Sequence, residues 1–227
     1  EPSSDISRIN ADAHIAPQQV DPWTAQILAI ALDLYERSGG LFDCGIAPHL
    51  ARWGLLPDGH NDPRSSLSDL QLDDLQVSAA LPVRLDLGGI AKGFAIDRAM
   101  DAIQAQGVRD ASINAGGDLR VMGSYEEAIH LRDPADPQVL RFAGTLKDGA
   151  IATSATYYSR RDYEGREVSA LVDPRSGAPL VTRNSYSVIA PLCCHADALT
   201  KVLAISDNPD HPCFAHYSAS TVILRAS

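Results

Sequence analysis

Lysine is nearly missing from this chain: 227 residues contain only Lys92, Lys147 and Lys201. Arginine carries almost all the other positive charge, and acidic residues outnumber basic ones enough to leave a formal net charge of −10. A chain of that sign lacks the basic footprint that nucleic acid or an anionic membrane surface requires. A small molecule or another protein is the expected partner instead. Long apolar runs are absent too, so no segment reads as a membrane span, and no signal-peptide pattern is present. The four cysteines, Cys44, Cys193, Cys194 and Cys213, lack the spacing of a disulfide framework, and adjacent Cys193 and Cys194 are poorly placed to pair with each other. What the chain does have is 45% apolar residues, enough over this length to bury a real core and to exclude disorder.

Helix and strand signals alternate along the chain. Asp21 as N-cap and Pro22 in the first turn open a helix whose apolar positions Ile27, Leu28, Leu34 and Tyr35 recur at helical spacing until Gly39 and Gly40. "LFDCGIAPHLARWG" enters a short helix closed by Gly54, and residues 57–68 read as a surface loop. A helix is expected over 90–106, with Ala95, Ile96, Ala99, Met100 and Ile103 on its apolar side. "DASINAGGDLRVMG" reads as strand, glycine turn, strand. Residues 127–180 are mostly short strands broken by "DPADP", "KDG", "YEG" and "DPRSG". "SYSVIAP" is a buried strand, a second compact helix covers 195–205, and "STVILRAS" is a last strand. Hairpin-linked strands mixed with helices make the class α+β.

Three stretches carry possible chemistry. In "LDLGGIAKGFAID", Gly88 and Gly89 sit at a strand-to-helix junction, where absent side chains let an anion approach the free N–H groups of a helix's first turn. Lys92 in that turn is badly placed for the helix dipole unless a bound anion or a nearby carboxylate compensates; equally, the glycines permit tight packing and Lys92 is simply solvated. A P-loop is excluded, since Gly93 is followed by Phe94 and Ala95. A dinucleotide fingerprint fits poorly, since Ile90 stands where its second glycine belongs. "NAGGDLR" offers a second glycine pair, Gly116 and Gly117, which a plain β-turn also explains. "CCHAD" invites a zinc reading, but consecutive ligands cannot all point at one ion and no second ligand pair of normal spacing exists. No nucleophile elbow is present.

Taken in order, "SDISRIN", "GGLFDCGIAPHLARWG", "LDLGGIAKGFAID", "ASINAGGDLRVMG", "IATSA", "LVDPRSGAPL" and "VIAPLCCHADALTKVLAI" resemble successive signature segments of the ApbE family of FAD:protein FMN transferases. The resemblance implies an α+β fold related to the T-fold, with antiparallel sheets and packed helices forming a single flavin-nucleotide-binding domain over 1–227, without the family's usual upstream strand and helix. It implies Mg²⁺-dependent transfer of FMN from FAD to a Thr or Ser hydroxyl of an acceptor flavoprotein, with release of AMP. Carried over by position, Phe42, Asp43, Asp86, Lys92, Asn114, Gly116, Gly117 and Asp118 fall where the family contacts FAD, and Gly89 and Asp197 where it holds the metal. Three departures stand out. Ala170 occupies the place of a family His, three residues before Asp173, so a compensating base is expected from Asp173 or from elsewhere, with Asp173 the candidate. Lys201 occupies the place of a metal-binding Thr, with Thr200 one position early as an imperfect substitute; the Lys201 ammonium is then expected near the metal position beside Asp197, one cation replacing another. Ala155 replaces a common Gly.

Overall fold

The computed structural model describes residues 3–57, 65–157 and 159–226. The chain divides into two compact units, Glu1–Leu87 with Val172–Pro179 and Gly88–Leu171 with Leu180–Ser227.

The first unit begins with α1 (Asp5–Asp12), a helix that the sequence reading leaves unassigned although Ser4 caps it by accepting from the Ser7 N–H at 3.3 Å. After β1 (Gln18–Gln19) comes α2 (Pro22–Arg37), capped as expected by Asp21, which accepts from the Trp23 N–H at 2.8 Å. Its buried stripe is Ala25, Ile27, Leu28, Ala31 and Leu34, a spacing of three and four that keeps one face inward. α3 (Ala47–Arg52) is the short helix closed by Gly54, whose φ is +67°. Part of the expected loop, 58–64, lies outside the described residues. β2 (Leu70–Asp73) and β3 (Gln76–Ala79) complete an antiparallel sheet in the order β1-β3-β2.

The second unit opens with α4 (Ala91–Ala105), within one residue of the expected helix at each end. Then come β4 (Ala111–Ala115), β5 (Asp118–Met122), β6 (Glu127–Arg132), β7 (Leu140–Leu146), β8 (Gly149–Ala155), β9 (Arg161–Tyr163) and β10 (Arg166–Val168). The chain gives β11 (Val172–Asp173) and β12 (Ala178–Pro179) to the first unit and returns with β13 (Ser185–Ala190), α5 (Cys193–Ser206), α6 (Pro212–His216) and β14 (Ser220–Leu224). Five strands make an antiparallel sheet in the order β14-β13-β8-β5-β4. The α+β expectation holds, and the predicted breaks between 127 and 180 fall at the connections, with Gly149, Tyr163 and Asp173 already the end residues of strands.

Residue alternation gives that sheet two different faces. Ala150, Ala152 and Ala190 are buried with Ile96 of α4 and Cys193 and Ala196 of α5; small side chains here let the helices lie close. Leu119, Val121 and Ile151 point the other way and are buried with Ile129, Leu131 and Leu146 of the β6-β7 hairpin. Ten residues of α5 are buried, as expected of a helix packed on several sides. No helix among the described residues is long and apolar enough to cross a membrane.

Candidate functional site

Neither α4 nor α5 carries a side-chain cap of its own, since Ile90 and Leu192 stand at the capping positions. Each is capped by an aspartate of the other. Asp97, on α4, accepts from the Cys193 N–H through Oδ1 and the Cys194 N–H through Oδ2, both at 2.9 Å. Asp197, on α5, accepts from the Gly93 N–H through Oδ2 at 3.3 Å. Both aspartates are 1% exposed, and carboxylates suit helix N-termini because the unpaired N–H groups and the dipole there are positive. Gly93 is required at this crossing, because a Cβ would overlap the Cys193 carbonyl. Asp97 also pairs with Arg120 at 2.6 Å. The cap from Asp97 explains why α5 starts at Cys193 rather than at the expected 195.

The same crossing gathers four charges. Lys92 Nζ pairs with Asp118 and lies 3.9 Å from Asp197 Oδ1. Lys201 Nζ pairs with Asp197 Oδ1 and donates to the Asp197 carbonyl at 2.9 Å. The carboxylate that Lys92 needs in a helix's first turn is therefore supplied by the protein. Burial, then the neighbouring Asp197 carboxylate, pushes the Asp118 carboxyl above its ordinary range, with Lys92 pulling the other way. Burial opposes the Lys92 ammonium, yet Asp197 and Asp118 outweigh it and hold that group above the usual lysine range.

These residues do not fit the Mg²⁺ that the resemblance implies. Both Asp197 oxygens are engaged, one by an ammonium and one by a backbone N–H. Thr200, the expected third ligand, is fully buried; its Oγ1 donates to the Asp197 carbonyl at 2.6 Å and shares a 2.7 Å bond with Ser154 Oγ. Gly89 lies in the turn before α4. Two ammoniums facing two carboxylates already balance, so a divalent cation would have to displace a lysine. Among the described residues no group of three or more His, Cys, Asp or Glu is placed to hold a metal.

The second glycine pair forms a two-residue hairpin loop between Ala115 and Asp118, with φ of +66° at Gly116 and +99° at Gly117. Positive φ at both positions is the reason for glycine. A Cβ at either would meet nothing within 4 Å, so the backbone is open. Alternation puts Asp118 and Arg120 on the helix face of the sheet, while Asn114, Thr153 and Ala155 line a cleft of about 620 Å³ whose other walls include Glu127, His130 and Arg132. The expected FAD-contacting residues of this segment are thus split between two faces that meet at the glycine turn.

In the first unit, Phe42 is 3% exposed and belongs to the core. Asp43 accepts from the Gly45 N–H, Ser66 Oγ and the Leu67 N–H at 2.7, 2.7 and 2.9 Å, and burial raises its pKa. Their side chains hold loops together rather than present open groups. The Asp86 N–H donates to the Cys44 carbonyl at 2.8 Å. The Asn10 amide brackets the Leu85 backbone, accepting from its N–H at 2.8 Å and donating to its carbonyl at 3.2 Å, a support for Asp86 that the sequence reading misses. Asp173 is tied to Arg175 by two bonds of 3.0 Å, which hold its carboxyl below the usual range. That pairing makes it a weak base.

The zinc reading fails on chemistry as well as spacing. Burial, and then nearby aspartates, pushes the Cys193 and Cys194 thiols far up, so neither supplies a thiolate. Cys44 and Cys213 are buried and also unbridged. Iodoacetamide near pH 8 is accordingly expected to label less than one thiol per native chain within an hour, and all four after denaturation; mass spectrometry showing rapid native labelling at 193 or 194 would contradict this packing.

Comparison with known proteins gives a consistent picture. The sequence model of the ApbE family matches residues 1–222. An FAD:protein FMN transferase of Rhodobacter capsulatus is 31% identical over 224 residues, covering 91% of this chain and 43% of that protein. One from Klebsiella pneumoniae is 31% identical over 215 residues, covering 88% and 67%. The chain therefore spans between about half and two thirds of these relatives. Among solved structures, the ApbE protein of Thermotoga maritima superposes with a TM-score of 0.81 at 25% identity, over 98% of this chain and 81% of that one. Pseudomonas stutzeri flavinyl transferase ApbE, in its apo form, gives 0.82 at 23% identity over 100% and 77%.

Proposed function

The chain belongs to the ApbE family, and from that we propose that it is an FAD:protein FMN transferase, moving FMN from FAD onto a Thr or Ser hydroxyl of an acceptor flavoprotein. In this reaction the hydroxyl oxygen bonds to the FMN phosphorus while the bond from that phosphorus to the bridging oxygen breaks, and AMP leaves with the bridging oxygen. The hydroxyl proton goes to a base, for which Asp173 is the candidate.

The observation that carries the reading is the pair of ammoniums at the N-terminus of α4, beside an open glycine turn that leads to a cleft. The Lys92 and Lys201 ammoniums offer N–H donors to the diphosphate oxygens, and they are fixed by Asp118 and Asp197 before substrate arrives, so no reorganisation is needed as charge builds up. One ring system of FAD occupies the cleft, whose volume of about 620 Å³ lies within the usual range for small-molecule sites. Asn114, Gly116 and Gly117 line the approach.

A second reading, a flavin-binding relative that transfers slowly, is favoured by one specific observation. The only assigned base is held down by Arg175. The two readings separate in one assay: protein, FAD and an acceptor flavoprotein bearing the target Thr are incubated, then resolved on a denaturing gel. The transferase reading expects covalent flavin fluorescence at the acceptor's mass, with one AMP released per flavin attached. FAD binding with neither product after many hours would leave only the binding role.

A further inference from the structure

The four charges at the crossing of α4 and α5 deepen the flavin-nucleotide reading, on which their role depends. We propose that the Lys201 ammonium stands permanently where the family resemblance implies a divalent cation, so that this chain binds flavin nucleotide without Mg²⁺.

Geometry supports the substitution at each contact. Lys201 lies one helical turn after Asp197, the i,i+4 arrangement that lets an acidic and a basic side chain meet. Its Nζ engages both a carboxylate oxygen and the backbone carbonyl of Asp197, the kinds of hard oxygen donor that Mg²⁺ uses. Two of its three N–H donors are thereby used and one remains for a phosphate oxygen. The side chain is 19% exposed, so its stem is packed and its head is held in place. Thr200, the hydroxyl that a metal would need, is turned instead toward Ser154. Asp118 and Arg120, on the facing strand, and Lys92 and Asp97, on α4, are the other charged groups at this crossing.

Charge arithmetic gives the consequence. Lys92 and Lys201 against Asp118 and Asp197 sum to zero, whereas Mg²⁺ in place of Lys201 would leave one net positive charge. Flavin nucleotide binding is therefore weaker than in a metal-loaded site but indifferent to chelators.

The test measures FAD affinity of the full chain by flavin fluorescence, in Mg²⁺ and in EDTA, with Mn²⁺ binding followed separately by electron paramagnetic resonance without FAD. The wild-type Kd is expected to change by less than about twofold between the two buffers, with no stoichiometric Mn²⁺ bound. Lys201→Met is expected to weaken FAD binding about tenfold or more in both. Lys201→Thr is expected to bind Mn²⁺ and to lose FAD affinity about tenfold in EDTA, with recovery in Mg²⁺. Wild-type FAD binding that collapses in EDTA and returns with Mg²⁺, or stoichiometric Mn²⁺ on the wild type, overturns the proposal while leaving the transferase reading intact. Absence of FAD binding in both buffers overturns both together. The wild-type arms need no variant to fold.

Discussion

Histidine introduced at Ala170 is expected to raise the rate of FMN transfer by roughly two to four orders of magnitude, the usual contribution of a well-placed general base. Ala170 is exposed, so an imidazole there displaces nothing from the core. Its surroundings are firm: the neighbouring Ser169 is fully buried, accepts from the Leu171 N–H at 3.1 Å and donates to the Leu180 carbonyl at 2.7 Å. The candidate base proposed above, Asp173, is drawn to low pKa by Arg175, and a carboxylate stabilised in that way takes a proton poorly. An imidazole titrates near neutral pH, so the variant's rate is expected to rise through about pH 6–7 where the wild type stays flat. Single-turnover labelling of the acceptor at saturating FAD measures the chemical step, and Ala170→Gln controls for size without basicity. If Ala170→His stays within about threefold of wild type with no new limb in the pH profile, loss of the imidazole is not what limits this chain.

The parts of the fold that are readable in the sequence are those built from neighbours in the chain. The α2 start follows from Asp21 and Pro22, and the hairpin loop at 116–117 from two glycines that alone tolerate positive φ. Residues 70–79 escape assignment even though their alternation is visible, because the strands are short and Asp74 turns the corner at φ +50° without a glycine. α1 escapes it too, although Ser4 and Asp5 are standard opening residues.

The candidate site shows a sharper division. That Lys201 sits beside Asp197 is legible from helical spacing alone, since one turn separates them. Nothing local indicates that Lys92 meets Asp118, 26 residues on, or that Asn10 mimics a strand partner for Leu85, 75 residues away. Gly93 stands in a stretch that fits neither phosphate motif, and its missing side chain makes room for the Cys193 carbonyl. The motif that looks like a ligand cradle is in part a helix crossing, and charge and packing share the same few residues there.

Asp97 shows how much depends on that crossing: Asp97→Ala is expected to destabilise the fold by about 3–5 kcal/mol, the range for removing one partner of a buried ion pair. The substitution strips the cap from α5, leaving the Cys193 and Cys194 N–H groups unpaired in a dry interior, and deprives Arg120 of its carboxylate. Cap loss alone costs about 1 kcal/mol; most of the rest comes from the stranded guanidinium, which is 17% exposed. Asp97→Ala combined with Arg120→Met is therefore expected to recover more than half of the loss, because removing both charges relieves the desolvation that removing one exposes. Asp97→Asn keeps one acceptor for the N–H groups and is expected to fall between wild type and alanine. Urea unfolding followed by circular dichroism gives all three values, and the asparagine and double variants remain measurable if the alanine variant does not fold. Losses below about 1 kcal/mol for Asp97→Ala would mean that water reaches the α5 N-terminus and replaces the carboxylate. A loss of the expected size makes Asp97 the residue that holds the start of α5, and with it the positions of Asp197 and Lys201.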